Sequence, residues 1–157
     1  MSHTYKFPRP SLTVDLVVFG SSNGGDPDHA LLIRRGKDPF KNHWAIPGGY
    51  FDMADESVEA AAARELREET GLDVPIERVK QVGVFSRPDR DPRGCVVSTA
   101  HYTVVSDMPS VKGQDDAKEA RWFPISQLKS LPLAFDHKEI LAESVLALLS
   151  RITRSVP

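Results

Sequence analysis

The sequence of 157 residues has little that would tie it to an oxidising compartment or a membrane. It contains one cysteine, Cys95, and so it cannot close an internal disulfide. It has no apolar run of about 18 residues that could span a membrane, and its start lacks the apolar core of a signal peptide. No basic run exceeds two residues and the formal net charge is −2. These absences predict a cytoplasmic protein that binds neither membranes nor nucleic acids.

The remaining composition is that of an ordinary globular chain, with 40% hydrophobic and 27% charged residues. We expect one domain over residues 1–157, with residues 1–10 as a loosely ordered arm. Apolar and β-branched runs predict strands at 12–19, 30–33, 79–85, 96–105 and 121–123. A helix is predicted to begin at Asp136, where Glu139 completes a capping box. Its predicted packing face comprises Leu141, Val145, Leu148, Leu149 and Ile152.

The most informative segment, residues 56–72, reads ESVEAAAARELREETGL. Ser57 is placed to cap the start of a helix, and four consecutive alanines favour helix formation. Gly71 stands where a left-handed residue ends a helix. The segment therefore predicts a helix with well-marked ends.

Three carboxylates lie on one face of this predicted helix. Glu65, Glu68 and Glu69 are spaced i, i+3 and i+4, so their side chains are neighbours. Carboxylates crowded in this way repel one another unless a cation neutralises them, and hard divalent cations prefer oxygen ligands. The face therefore predicts a site for Mg²⁺ or Mn²⁺ that would act on a phosphate.

The same segment resembles the Nudix box, G-x5-E-x7-R-E-U-x-E-E-x-G-U, in which U is aliphatic. One spacing differs, because six residues separate Gly49 from Glu56 where the family pattern has five. The resemblance implies an α/β fold, specifically an α/β/α sandwich with a mixed, curved sheet and a catalytic strand-loop-helix. It also implies hydrolysis of a diphosphate.

Roles for individual residues follow from this resemblance. The implied metal ligands are Glu65, Glu68, Glu69 and the backbone carbonyl of Gly48. Arg64 is expected to fix a carboxylate, with Glu56 as its partner, and these two join the glutamates as the predicted catalytic set. The general base stays open between a box glutamate and an acidic loop before the last strand. The loop candidates, which could also be extra ligands, are Asp115, Asp116 and Glu119.

Two shorter stretches resemble ADP-ribose pyrophosphatase-like Nudix proteins. They are SRPDRDPRG at residues 86–94 and LAFDH at residues 133–137. The first implies that Arg90 and Arg93 hold the substrate, since a planar guanidinium binds phosphate through two hydrogen bonds. Arg34, at the end of a predicted strand, and the aromatic Tyr50 are further candidates for substrate contacts.

The sequence thus predicts a metal-dependent hydrolase of nucleoside diphosphates linked to a second group. ADP-ribose, giving AMP and ribose 5-phosphate, is the leading substrate, and a small-molecule nucleotide the expected partner; a homodimer is compatible with the sequence. One alternative is the same chemistry on NADH, an oxidised nucleoside triphosphate or a sugar nucleotide. The other is a domain that senses ADP-ribose without cleaving it, as in some transcription regulators. The intact glutamates, and a sequence ending at Pro157 without a winged helix, favour the enzyme.

Overall fold

The structure is a computed structural model that describes residues 3–155, so Met1, Ser2, Val156 and Pro157 lie outside it. Residues 3–10, most of the predicted arm, contain no helix or strand. The strands are β1 (Ser11–Gly20), β2 (His29–Arg35), β3 (Trp44–Ala45), β4 (Gly48–Tyr50), β5 (Lys80–Phe85), β6 (Val96–Val104) and β7 (Ala117–Pro124). The helices are α1 (Val58–Thr70) and α2 (His137–Arg154), with 3₁₀ turns at Ile76–Arg78 and Ile125–Ser130.

All seven strands join one sheet, whose main path runs β3-β2-β1-β6-β5. β4 pairs with β1 and β7 pairs with β2, both off this path. β1 and β6 are parallel, whereas the other strand pairs are antiparallel. The sheet is therefore mixed, and the predicted α/β fold is confirmed.

The two helices cover opposite faces of this sheet. Along β1, Val14 and Leu16 pack with Leu66 of α1, whereas Val17 packs with Ile140 of α2. Because side chains alternate along a strand, β1 contributes to both cores and is buried on both faces. At the first half of this strand, the second half of α1 and the start of α2 line the same cavity.

The ends of α1 agree with the sequence prediction. The hydroxyl of Ser57 accepts a hydrogen bond from the backbone N–H of Ala60 at 3.0 Å. Gly71 ends the helix at φ 75°, in the left-handed region that glycine tolerates. Both ends are set by local sequence, and they fix which turn of the helix carries the glutamates.

Two expectations about α2 are wrong. Asp136 makes no side-chain capping bond, because its carboxylate binds Arg90 instead. Leu149 is 51% exposed and lies beside Leu146, which is 59% exposed, so it belongs to the outer side of the helix. Across residues 3–155 no helix has the length and apolar character to cross a membrane.

Candidate active site

A cavity of about 330 Å³ opens where β1, β4, the second half of α1 and the start of α2 converge. Charged side chains of both signs line it. The acidic residues at its wall are Asp15, Asp52, Glu65, Glu68, Glu69, Asp91, Asp115 and Asp116, and the basic residues are Arg35, Lys37, Arg64, Arg90 and Arg93. The predicted carboxylates and a set of cations therefore face one shared space.

Arg64 is at the centre of the acidic wall, and its main partner is not the predicted one. Its Nε and Nη2 donate to the two carboxylate oxygens of Asp55 at 2.8 and 2.9 Å. Glu56, the partner expected from sequence, is exposed and makes none of these contacts. The expectation that Glu56 fixes Arg64 is therefore wrong.

The extra residue in the loop before α1 explains why Asp55, and not Glu56, binds Arg64. Five intervening residues after Gly49 lead to Asp55, whereas seven intervening residues before Arg64 lead back to Glu56. The backbone N–H of Asp52 donates to the carboxylate of Asp55 at 2.8 Å, and the N–H of Asp55 donates to the carbonyl of Asp52 at 3.0 Å. This turn directs Asp55 inward and leaves its neighbour in solvent.

The three glutamates of α1, here called the acidic face, lie together as predicted. Nη1 of Arg64 donates to Glu65 at 2.9 Å and to Glu68 at 3.2 Å. Glu69 is buried and accepts a hydrogen bond from the N–H of Gly48 at 3.0 Å. Burial, with further contributions from neighbouring carboxylates, raises the pKa of Glu65 and raises that of Glu69 well above its usual range. The face thus concentrates oxygen donors that water does not fully solvate.

These donors fit a hard divalent cation by chemistry, but they are not assembled into a finished site. Within residues 3–155, no three His, Cys, Asp or Glu side chains are grouped as metal ligands. The reason is that Glu65 and Glu68 point to Arg64, which serves as their cation. The Glu65 carboxylate packs directly on Gly49, where a Cβ would lie 2.6 Å from its oxygens, so only glycine fits at this position.

Two further guanidiniums line the cavity beside the ring of Phe135. The guanidinium carbon of Arg35 lies 4.9 Å from the ring centroid of Phe135, and that of Arg93 lies 5.4 Å from it. Arg93 also lies 5.4 Å from the ring of Tyr50 and pairs with Asp91 at 2.7 Å. Arg35 forms no ion pair within residues 3–155 and donates instead to the carbonyl of Pro39. Arg35 is therefore a half-buried cation available to an anionic ligand.

Arg34 and Glu119, both candidates from sequence, are not at the cavity. They pair with each other across β2 and β7, so their side chains share a face of the sheet. Arg34 donates to the carbonyl of Asn42, and Glu119 pairs with Arg121. Strand alternation turns Arg35, one residue on, into the cavity. The structure therefore places neither Arg34 nor Glu119 at the cavity.

Arg90 lines the cavity but is committed to a structural contact. Its Nε and Nη2 donate to both carboxylate oxygens of Asp136 at 2.9 and 2.7 Å, and both side chains are buried. The guanidinium is therefore not free to hold a substrate, contrary to the prediction. The loop candidates Asp115 and Asp116 do line the cavity, and Asp116 pairs with Lys37.

Sequence reasoning missed several residues of the site. Asp15 and His137 are buried in the cavity wall, and Phe135 projects into it from a left-handed backbone at φ 51°. One signal was available: Asp15 is a carboxylate in an otherwise apolar strand, and such a residue is rarely buried without a function or a partner. A second signal was the LAFDH stretch at residues 133–137, which contains Phe135 and His137, although it did not show which residues these two would contact.

Comparison with known proteins gives the family. The model of the NUDIX domain matches residues 9–144. The ADP-ribose pyrophosphatase of Methanocaldococcus jannaschii is 46% identical over 114 residues, which are 72% of this chain and 63% of that protein. An ADPR-responsive transcriptional repressor, NtrR, from Acinetobacter baylyi is 34% identical over 88% of this chain and 54% of the repressor. The chain thus spans between about half and two thirds of these relatives.

Solved structures agree with this assignment. The NUDIX domain of Shewanella oneidensis NrtR, crystallised with ADP-ribose, aligns with a TM-score of 0.81 and 30% identity, covering 90% of each chain. A MutT/nudix family protein from Enterococcus faecalis aligns with a TM-score of 0.83 and 33% identity, covering 95% of this chain and 66% of the other. Together with the acidic helix and its arginine, these matches show that the chain belongs to the NUDIX domain family.

Proposed function

We propose that the protein is a divalent-metal-dependent hydrolase that cleaves the diphosphate of ADP-ribose, with Mg²⁺ or Mn²⁺ as the metal. The observation that carries this proposal is the division of charge in the cavity. Glu65 and Glu68 of the acidic face bind Arg64, whereas Arg35 and Arg93 of the same cavity lie beside Phe135. A diphosphate needs both, because its charge must be neutralised while one phosphorus is exposed to water.

The acidic face supplies the proposed metal ligands, Glu65, Glu68 and Glu69, with the carbonyl of Gly48. A bound divalent cation would neutralise phosphate charge and lower the pKa of a bound water. Arg64 holds the middle of α1 to Asp55 and so sets where these carboxylates lie. A glutamate of the face, or Asp115 or Asp116 opposite it, accepts the proton from the attacking water.

Of the two phosphates of the substrate, one would lie at the metal held by the acidic face, and Arg35 and Arg93 hold the other. Two like charges this close repel, and the charge of Arg93 adds to burial in lowering the pKa of Arg35. An anion between them relieves that repulsion. Tyr50, 48% exposed beside Arg93, offers a ring to the adenine or a ribose. The similarity to an ADP-ribose pyrophosphatase and to an ADP-ribose-bound domain supports this choice of ligand.

A hydrolysis assay with ADP-ribose tests the reaction. The wild type is expected to release AMP and ribose 5-phosphate with Mg²⁺ and to stop when EDTA is added. Glu68→Gln should lower turnover at least a hundredfold, about 3 kcal/mol of barrier, while the exposed Glu77→Gln control stays active. Reaction in H₂¹⁸O shows which phosphorus is attacked. Activity that survives EDTA would contradict the role of the metal.

Adjacent arginines on β2 give a matched test of substrate binding. Arg35→Ala and Arg93→Ala should each raise KM for ADP-ribose about ten- to a hundredfold, since a charged hydrogen bond contributes about 1.5–3 kcal/mol. Arg34→Ala removes the same charge from the opposite face of the strand and should leave KM unchanged. Equal effects of the Arg34 and Arg35 variants would show that only general electrostatics matter.

A sensor that binds ADP-ribose without cleaving it is the second candidate, and the similarity to the ADPR-responsive repressor favours it. Calorimetry separates the two. A sensor would bind ADP-ribose with the same affinity in wild type and Glu68→Gln, and neither would form product with any divalent metal. If the protein is a hydrolase, both wild type and Glu68→Gln bind ADP-ribose, and only the wild type converts it to product.

A further inference from the structure

A buried pair of titratable side chains lies in the cavity wall, outside the proposed catalytic and substrate contacts. Asp15 of β1 is 6% exposed and His137, the first residue of α2, is 4% exposed. Nε2 of His137 lies 3.4 Å from Oδ1 of Asp15. The hydroxyl of Ser98 in β6 donates to the other carboxylate oxygen. Three distant segments of the chain therefore converge on one carboxylate.

The hydrogen bonds assign the protons of the imidazole. Nδ1 of His137 lies 3.0 Å from the backbone nitrogen of Ile46, whose N–H can only donate. Nδ1 must therefore accept, and the neutral ring carries its proton on Nε2. That proton faces Asp15, and an anionic neighbour favours this tautomer. The carboxylate thus keeps Nδ1 available as the acceptor for Ile46.

Ile46 begins the short segment that carries the proposed carbonyl ligand. Pro47 follows it and then Gly48, which pairs with Asp15 in the register of β1 and β4. A Cβ on Gly48 would lie 2.7 Å from Oδ1 of Asp15, so glycine and carboxylate are in close contact. The N–H of Gly48 donates to Glu69 at 3.0 Å. A chain of contacts therefore runs from α2 through this segment to the acidic face.

We infer that His137 is a positioning residue, which holds the Ile46–Gly48 segment by its Nδ1 acceptor and so sets the distance between the Gly48 carbonyl and Glu69. Asp15 acts on the same segment by orienting the ring, as carboxylates orient metal-bound histidines in other proteins. The inference rests on the proposed metal site. It adds a link between the start of α2 and that site, and it assigns Asp15 and His137 a function.

Metal affinity measured without substrate tests the inference. Mn²⁺ binding is followed by electron paramagnetic resonance in the absence of any nucleotide, and the melting temperature is recorded for the same samples. His137→Asn places an amide oxygen near Nδ1 and keeps the acceptor for Ile46. His137→Gln reaches toward Nε2 and loses that acceptor. We expect Mn²⁺ affinity within about threefold of wild type for Asn, and at least tenfold weaker for Gln.

Ser144→Ala is the control for a loss of helix stability alone. Ser144 is buried in α2 and its hydroxyl donates to the carbonyl of Ile140, away from the cavity. The Ser144→Ala variant should therefore have a lower melting temperature than wild type and the same Mn²⁺ affinity. Equal Mn²⁺ affinity in the Asn and Gln variants, or the reverse order, overturns the inference. Failure of the metal site itself is distinguishable, because wild type and Glu68→Gln would then bind Mn²⁺ equally weakly.

Discussion

At the scale of single residues, Arg64 organises the proposed metal site. One guanidinium contacts three carboxylates, those of Asp55, Glu65 and Glu68, and also the carbonyl of Tyr50 at 3.1 Å. It therefore substitutes for a cation among side chains that would otherwise repel. If a metal ion binds Glu65 and Glu68 in place of Arg64, Asp55 remains the carboxylate that holds the Arg64 guanidinium.

This arrangement predicts unequal effects at two neighbouring acids. Asp55→Asn keeps the size of the side chain but removes the charge that holds Arg64, and we expect turnover of ADP-ribose to fall at least tenfold. Glu56→Gln changes an exposed side chain and should alter turnover less than about twofold. Steady-state kinetics at saturating Mg²⁺ compare the two. A larger loss at Glu56 would mean that the turn at 52–55 rearranges when metal binds.

Glu69 predicts a pH dependence of stability. Its folded-state pKa is raised above the ordinary value of 4.5, mainly by burial. Above pH 4.5 the folded state therefore binds more protons than the unfolded state, and the free energy of unfolding decreases as pH rises toward the folded pKa. Glu69→Gln removes the ionisable group, and with it this loss of stability at higher pH, and keeps a side-chain oxygen that accepts the hydrogen bond from Gly48.

Urea denaturation without metal, from about pH 5 to about pH 8, measures the effect. The stability advantage of Glu69→Gln over wild type should grow with pH across this range. Adding Mg²⁺ should stabilise the wild type more than the variant. If the free energies of unfolding of the two proteins change with pH in parallel, ionisation of Glu69 does not destabilise the folded state.

At the scale of elements, the loop between β5 and β6 is tied to the start of α2. The buried Arg90–Asp136 pair makes this tie, and Arg87 adds an exposed contact to Glu139 at 3.0 Å. Because Arg93 follows three residues after Arg90, the tie also places Arg93 over Phe135. The loop can therefore hold a substrate-binding arginine in position without regular secondary structure.

Removing the Arg90–Asp136 pair should mainly reduce the stability of the protein. Arg90→Ala leaves Asp136 buried without a partner and is expected to lower the free energy of unfolding by about 3–5 kcal/mol. The double variant Arg90→Leu, Asp136→Leu should recover much of that loss, since it leaves no buried charge. Urea denaturation gives both values. A double variant that is no more stable than Arg90→Ala would contradict the idea that an unpaired buried charge causes the loss.

At the scale of the whole molecule, charge is unevenly distributed. The net charge is −2, yet Arg78, Lys80, Arg151 and Arg154 line a groove between the end of α2 and the sheet. This groove adjoins the part of the sheet where β6 ends, whereas the candidate active site adjoins the first half of β1. The exposed leucines Leu146 and Leu149 lie on the same helix.

The absence of nucleic-acid binding remains a prediction for this chain, since Shewanella oneidensis NrtR, to which the chain is similar, has been crystallised with a 27mer DNA. We expect no binding of duplex DNA below about 100 μM at physiological salt, because the overall charge opposes the phosphate backbone. Fluorescence anisotropy with and without ADP-ribose measures it. Binding that is lost in Arg151→Glu, Arg154→Glu would identify the groove as a nucleic-acid site.

The sequence by itself determined both ends of α1 and the face on which its glutamates lie, because these features depend on spacings within one helix. The fold class was implied by the resemblance of residues 56–72 to a family motif. Tertiary structure decided which acid meets Arg64, since the path of a loop selects Asp55 over Glu56. It also turned Arg35 rather than Arg34 toward the cavity and joined Asp15 to His137. Such contacts join residues far apart in the chain, so strand pairing and helix packing must form before they exist.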